Sequence, residues 1–298
     1  MRILIPSKSA VRAVISDIRV AGASLPDFEP GKVVYSYVVP FGSATPTVAA
    51  SYDNTKMTVS IAQASGVPGT AAITVTASNG TATNLYRVNF TAGTNPNRVT
   101  AYRATPANYQ DPNDSVWAIA PEILVNKRSS TNQSATMEAL GKAKVLWDNN
   151  YLYARVEVTK NYALNAAASD AHMRDSVELF FSERNFRGSY GSTVASGNQY
   201  RINFQGATSQ KTANSGWGGS GAVLEDLSAG LYGYVLTYRI PWVDSAVAKA
   251  PGTVCGLDFQ INAMQNQTTR TCFAWSDGTD SGYSSSTLWG EMILAVKS

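Results

Sequence analysis

Apolar residues recur at every second position along almost the whole of this chain. That is the repeat of a β-strand, whose successive side chains point to opposite sides of a sheet, and it does not fit the 3.6-residue repeat of a helix. In the first part it marks strands over residues 13–20, 33–39, 47–52, 57–63, 71–77 and 84–91, separated by turn clusters such as Ser65-Gly66-Val67-Pro68-Gly69 and Ser78-Asn79-Gly80. Six or seven short strands in about 85 residues predict a small antiparallel sandwich. In the second part the strands fall at 143–148, 151–159, 176–181, 199–204, 222–225, 233–241, 256–262, 271–275 and 291–296. About ten strands in roughly 200 residues, without helical periodicity, predict a larger antiparallel sandwich of jelly-roll type. A helical turn is expected around Trp117. The fold class is therefore all-β, in two domains over residues 1–95 and 96–298, with Gly93-Thr94-Asn95-Pro96-Asn97 as linker.

Composition supports the division and narrows the function. All six tryptophans (117, 147, 217, 242, 275 and 289) follow residue 115. Lys and Arg outnumber Asp and Glu seven to four in residues 1–95 and balance at seventeen each thereafter. A partner that neutralises phosphates needs a clustered basic excess, so nucleic acid is excluded as the target. No apolar run approaches a membrane span. Residues 1–6 lack the long apolar segment of a signal peptide. With Gly, Ser, Thr, Asn and Tyr abundant, the chain is expected to be part of a longer secreted protein whose signal peptide lies outside it. Cys255 and Cys272 lack metal-ligand spacing. A hairpin placing Asn262 opposite Arg270 sets Cys255 opposite Asp277, so no disulfide is expected between the two.

Alternation sorts the strands of the second part into faces. Leu152, Ala154, Val156 and Val158 lie opposite to Tyr153, Arg155 and Glu157; Val177, Leu179 and Phe181 lie opposite to Ser176, Glu178 and Phe180. Tyr200, Ile202 and Phe204 oppose Gln199, Arg201 and Asn203, and Leu257, Phe259 and Ile261 oppose Asp258, Gln260 and Asn262. One polar face is then expected to carry Arg155, Glu157, Glu178, Gln199, Arg201, Asn203, Gln260 and Asn262. An ordinary solvent-facing sheet uses Thr, Lys, Glu and Ser freely, whereas this set is rich in planar guanidinium, carboxamide and carboxylate groups. Each such group can meet two adjacent hydroxyls with directional hydrogen bonds, which suits a sugar. Catalysis is not indicated. Asp175 and Glu178 are three apart on one strand and point to opposite faces, unlike the paired carboxylates of a glycosidase. No Gly-x-Ser-x-Gly turn occurs, and the single histidine, His172, has no nucleophile at recognisable spacing.

Two resemblances follow from these segments. Ser16-Asp17-Ile18-Arg19-Val20-Ala21-Gly22, Leu25-Pro26-Asp27-Phe28-Glu29-Pro30-Gly31, Tyr35-Ser36-Tyr37-Val38-Val39-Pro40, the run from Ile61 to Ala71, and Tyr86-Arg87-Val88-Asn89-Phe90 resemble bacterial cadherin-like/Ig-like β-sandwich modules. That resemblance implies a spacer over about residues 13–92. The second part resembles carbohydrate-binding module family 9, known from modular xylanases. The resemblance is carried in order by Asp114-Ser115-Val116-Trp117, Val145-Leu146-Trp147-Asp148-Asn149-Asn150-Tyr151-Leu152-Tyr153, Arg174-Asp175-Ser176-Val177-Glu178-Leu179-Phe180-Phe181 and Asn198-Gln199-Tyr200-Arg201-Ile202-Asn203. It continues through Gly233-Tyr234, Ile240-Pro241-Trp242, Gly256-Leu257-Asp258-Phe259-Gln260-Ile261-Asn262, Trp275-Ser276-Asp277 and Gly290-Glu291.

The resemblance implies a sugar held between two aromatic faces and hydrogen-bonded from the neighbouring strands. Glu178, Arg201 and Gln260 match family sugar contacts, Gln199 neighbours them, and Asp280 joins the candidate set. Where the family carries two clamping tryptophans this chain has His172 and Tyr283. That smaller aromatic area predicts weak binding, in the millimolar range or about −4 kcal/mol. Trp217, in a Gly-rich stretch expected to be a loop, is a candidate substitute platform, whereas Trp117, Trp147, Trp242 and Trp275 match core positions. No cofactor is required. Structural calcium is implied by the family, with Asp111 and Asp114 as candidate ligands, although Gln110 and Lys160 stand where family aspartates occur; Asp111-Pro112-Asn113-Asp114 also reads as a turn and helix cap.

The expected function is a non-catalytic carbohydrate-binding module that brings an attached, xylanase-like glycoside hydrolase to xylan, cellulose or β-glucan outside the cell. The second reading is a structural or protein-interaction sandwich that has lost sugar binding, and the His–Tyr replacement is its support. Haem binding is opposed by the adjacency of His172 and Met173, which cannot take opposite faces of one iron.

Overall fold

The hairpin at Asp148-Asn149-Asn150 shows how local sequence sets the architecture. The Asp148 carboxylate accepts the backbone N–H groups of Asn150 (2.7 Å) and Tyr151 (2.8 Å), closing a turn between two of the longest strands. The computed structural model describes residues 12–80, 82–131, 134–225 and 227–297; residues 1–6 thus lie outside it. The chain divides into two units, Met1–Thr94 and Asn95–Ser298. Among the described residues all regular structure is β, apart from single 3₁₀ turns at Ser115–Ile119, around Trp117, and at Ala171–Met173. Among the described residues no helix is long and apolar enough to cross a membrane.

The first unit holds β1 (Asp17–Val20), β2 (Ala23–Ser24), β3 (Val34–Val39), β4 (Val48–Ser51), β5 (Met57–Ala62), β6 (Gly69–Ala77) and β7 (Thr83–Ala92). They form a sheet of order β2-β1-β4 and another of order β3-β7-β6-β5, sharing a core that includes Ile18, Tyr35, Ile73, Val75, Tyr86 and Phe90. The expected all-antiparallel pairing needs correction at one strand. β3 runs parallel to β7, Tyr35 lying opposite Val88. The chain reaches β3 by crossing from the other sheet, and only a hairpin obliges neighbours to be antiparallel.

The second unit holds β8 (Arg98–Arg103), β9 (Ile123–Val125), β10 (Lys127–Arg128), β11 (Ala139–Trp147), β12 (Tyr151–Lys160), β13 (Ser176–Ser182) and β14 (Asn198–Asn203). It continues with β15 (Thr208–Gln210), β16 (Gly218–Leu224), β17 (Tyr232–Pro241), β18 (Val254–Met264), β19 (Arg270–Ala274) and β20 (Gly290–Ala295). The main path runs β15-β14-β13-β18-β20-β8-β11-β12-β17-β16. It folds over on itself, with β8 parallel to both β20 and β11 at the join, into a nearly closed sandwich. Leu152, Val156, Leu236 and Tyr238 from one half meet Val177, Leu179, Tyr200, Phe259 and Ile261 from the other in one core. The buried Tyr238 hydroxyl donates to the Val177 carbonyl across it (2.9 Å). Each such buried aliphatic side chain contributes about 1.5–3 kcal/mol.

Three expectations change. Arg155 and Glu157 lie on β12, in the other half of the sandwich from β13, β14 and β18, so the single polar face is really two outer faces. Alternation assigns a side chain to a face but not a strand to a half. The β18–β19 ladder pairs Asn262 with Cys272, and Cys255 lies opposite Met292 of β20; both thiols are buried. The glycine-rich stretch before Ala222 is largely strand β16. A Cβ on Gly219 would lie 2.0 Å from Ile202 Cδ1 and 2.7 Å from the Thr237 carbonyl, so the glycine is there for close approach rather than for looping.

Candidate functional site

Strands β14, β13 and β18 are adjacent, and their registers align one residue from each: Arg201 and Gln260 flank Glu178 directly. Their alternate residues, Leu179, Tyr200, Ile202, Phe259 and Ile261, fill the core, which forces this row outward. Glu178 is 2% exposed. A buried carboxylate needs partners, and this one has four contacts. Arg201 donates through Nε (2.8 Å) and Nη2 (2.6 Å), Asn262 through Nδ2 (2.9 Å), and Gln199 through Nε2 (2.5 Å). Arg201 is thereby held flat against the sheet, with Nη1 reaching Ser209 (3.2 Å).

The segment after β19 closes the other side. Its base is Asp258, fully buried, which accepts the backbone N–H groups of Phe259 (2.8 Å), Ser276 (3.0 Å) and Asp277 (2.8 Å). Burial raises its carboxyl to about 7 despite these donors, and the charge on nearby Asp277 adds to the rise. Asp277 in turn accepts Thr279 N–H (2.8 Å) and the Ser281 hydroxyl (3.0 Å). This framework presents Asp280, with φ of 59°, to Gln260 Nε2 (2.9 Å), Arg270 Nη2 (2.6 Å) and the Thr131 hydroxyl (3.3 Å).

Between strand row and segment lies a cleft of about 600 Å³. Of the residues anticipated from sequence, it brings together His172, Glu178, Gln199, Arg201, Gln260, Asp280 and Tyr283. His172, on the Ala171–Met173 turn, and Tyr283, 55% exposed, give it aromatic surface. Trp217 is not part of this lining. Its ring lies 5.1 Å from that of Tyr200 and packs on the core at the sandwich edge where β16 begins. Asn203 accepts the N–H groups of Gln205 and Ala207 and shapes a turn. The cleft also has Thr131, Arg270, Thr279 and Ser281, which sequence reasoning missed. Arg270 was within reach of alternation, since β19 places it on the face of Cys272 and Asn262; the other three come from connecting segments with no period. Trp289 is buried against Phe180 (5.4 Å) and Tyr190 (4.7 Å).

Asp175 is committed elsewhere, to the buried Lys160 (2.6 and 2.7 Å). At the anticipated calcium segment, Asp114 accepts Val116 N–H (3.0 Å) and Ala107 N–H (2.8 Å), capping the first 3₁₀ turn, and Asp111 accepts Asn113 N–H (2.8 Å). Among the described residues no group of three or more His, Cys, Asp or Glu side chains is placed to hold a metal ion. The carboxylates here accept backbone N–H groups, as in a turn followed by a cap.

Residues 110–297 match the family model "Carbohydrate family 9 binding domain-like". The chain belongs to this family. Family 9 domains are non-catalytic carbohydrate-binding modules, and the relatives agree with that placement. An endo-1,4-beta-xylanase C from Paenibacillus barcinonensis is 31% identical over 190 residues, covering 62% of this chain and 16% of that protein. The exoglucanase XynX of Acetivibrio thermocellus is 27% identical over 187 residues, again 62% of this chain and 16% of the relative. The chain thus spans about one-sixth of the length of the curated relatives it matches. A family 9 module from Caldicellulosiruptor kristjanssonii, solved in complex with cellotriose, shares the fold with a TM-score of 0.55 at 24% identity, covering 67% of this chain and 95% of that one. The same module solved with glucose gives an equal score.

Proposed function

We propose that this family 9 module binds a short stretch of plant cell-wall polysaccharide, xylan, cellulose or another β-glucan, in the cleft between the Glu178 row and the Asp280 segment. The observation that carries the reading is the convergence of Glu178, Gln199, Arg201, Gln260 and Asp280 with His172 and Tyr283 on one cavity. The polar groups are fixed by one another before any ligand arrives, so little rotamer entropy is lost on binding. Carboxylate, carboxamide and guanidinium present acceptors and donors in the plane that vicinal hydroxyls need, and each hydrogen bond to a charged group is worth about 1.5–3 kcal/mol. His172 and Tyr283 supply apolar surface for a sugar ring. The bound forms of the Caldicellulosiruptor module, with cellotriose and glucose, support a glucan or related ligand.

The wider setting belongs to the same proposal. The xylanase relatives support a module attached to an extracellular glycoside hydrolase, which it concentrates at the polymer. Residues 1–94 are read as a cadherin-like/Ig-like spacer, supported by their two-sheet core. The segment from Asp111 to Asp114 is read as a turn and cap rather than a calcium site.

Calorimetry with xylo- and cello-oligosaccharides tests the site. Binding at millimolar or better is expected, weakened at least tenfold by Arg201→Ala and about threefold to tenfold by Tyr283→Ala. No heat with any of these sugars at 10 mM ligand leaves the protein-interaction reading in its place.

A further inference from the structure

The cleft does not end at Arg201. A second cavity of about 290 Å³ shares Gln199, Arg201 and Tyr283 with it and continues over β15 to Ser209, Gln210 and Lys211. The two differ in charge. In the cleft Arg201 and Arg270 are met by Glu178 and Asp280. In the extension the charged lining residues are Arg201, whose charge is matched by Glu178, and Lys211; no carboxylate lines it.

Lys211 is held in place rather than loose. Its ammonium donates to the Tyr283 carbonyl (2.6 Å) and lies 4.3 Å from the centre of the buried Tyr190 ring. Its stem runs over Gly191, where a Cβ would come within 2.9 Å of Lys211 Cε. Among the described residues no carboxylate pairs with it. The side chain is exposed at the rim, and slight desolvation lowers its pKa. An exposed ammonium that is held by its contacts and has no carboxylate partner, at the end of a sugar-sized cavity, is complementary to an anion.

We propose that this extension is a second sugar subsite that takes an acidic residue, a uronate, whose carboxylate pairs with Lys211. The proposal rests on the reading of the cleft as sugar-binding and adds a substrate class to it: glycans carrying uronic acid. Ser209 and Gln210 are the neutral polar neighbours for that residue's hydroxyls, and Tyr283 is the wall common to both subsites.

The test is calorimetry on the full chain with two matched pairs: xylotriose against xylotriose bearing one 4-O-methylglucuronic acid branch, and cellobiose against cellobiouronic acid. The acidic member of at least one pair is expected to bind about fivefold tighter at 20 mM salt, with the advantage falling towards unity at 500 mM as screening grows. Lys211→Met and Lys211→Gln are expected to bring the acidic-to-neutral ratio to about one, and Lys211→Arg to restore it; thermal melts establish that each variant is folded. Neutral sugars that bind without any acidic preference, or a preference that survives both charge-removing variants, overturn the subsite while leaving the sugar-binding reading intact. No binding by either member of either pair overturns both.

Discussion

Lys160 is the last residue of β12 and is completely buried, an unusual place for an ammonium. Its Nζ meets both oxygens of Asp175 at 2.6 and 2.7 Å and the Met264 carbonyl at 2.7 Å, while Asp175 also accepts the N–H groups of Asn165 and Met264. Desolvation pushes the lysine pKa down and the aspartate pKa up, and each charge opposes the shift of the other. The ammonium is thus the internal cation for a carboxylate that alternation could only say was turned away from Glu178. Such a pair is costly to break one-sidedly and cheap to replace whole. Lys160→Met is expected to lower unfolding free energy by about 3–5 kcal/mol, and the added change Asp175→Leu to recover most of it. Urea unfolding of the two variants checks this; a loss below about 1 kcal/mol for Lys160→Met would show that the pair is not an anchor.

At the scale of elements, β18 and the segment after β19 link stability to pH through Asp258. Its carboxyl titrates at about 7 in the folded protein, above the 3.8 of the open chain. Between those values the folded form keeps a proton that the unfolded form has lost, so stability is full below pH 4 and falls as pH rises towards 7. The contribution is at most about 4 kcal/mol across that window. Asp258→Asn is expected to flatten this part of the profile, read as the difference between wild-type and variant melting temperatures at pH 4, 5.5 and 7.5. A parallel pair of profiles would contradict the assignment. The same elements show what sequence can and cannot convey. β12, β13, β14 and β18 were readable because one face of each is predominantly apolar, and period two then fixes which residues point outward. The first half of β16 was hidden because its glycines carry no apolar signal, lying in close contact with β14 and β17; only its end, from Ala222, was readable. β8, β9 and β15 are short or pair at a join, where alternation has too few residues to register. Asp280 meets Gln260 and Thr131 through a segment ordered by backbone bonds to Asp258, a tertiary arrangement with no sequence period.

Over the whole molecule, the tryptophan asymmetry acquires a physical meaning. Trp147 and Trp289 are buried and Trp217, Trp242 and Trp275 pack on the larger core, so tryptophan content marks the unit with the greater interior rather than the site. Each unit has its own core, Ile18, Ile73 and Phe90 in one and Val156, Leu179 and Phe259 in the other. Each core is an independent source of stability, and a domain of either size normally unfolds cooperatively. All the residues around the cleft come from Asn95–Ser298. A fragment of residues 95–298 is therefore expected to fold and to bind oligosaccharide within about twofold of the full chain. Its melting transition is expected to coincide with one of two transitions resolved by calorimetry of the full chain. If the first unit supplied part of the site, the fragment would fold and lose affinity. If it supplied part of the core, the fragment would not fold at all. Comparing the fragment's binding isotherm with its melting curve separates these outcomes, because the cleft's polar network is anchored on β13, β14, β18, β19 and the segment after β19, all within residues 95–298.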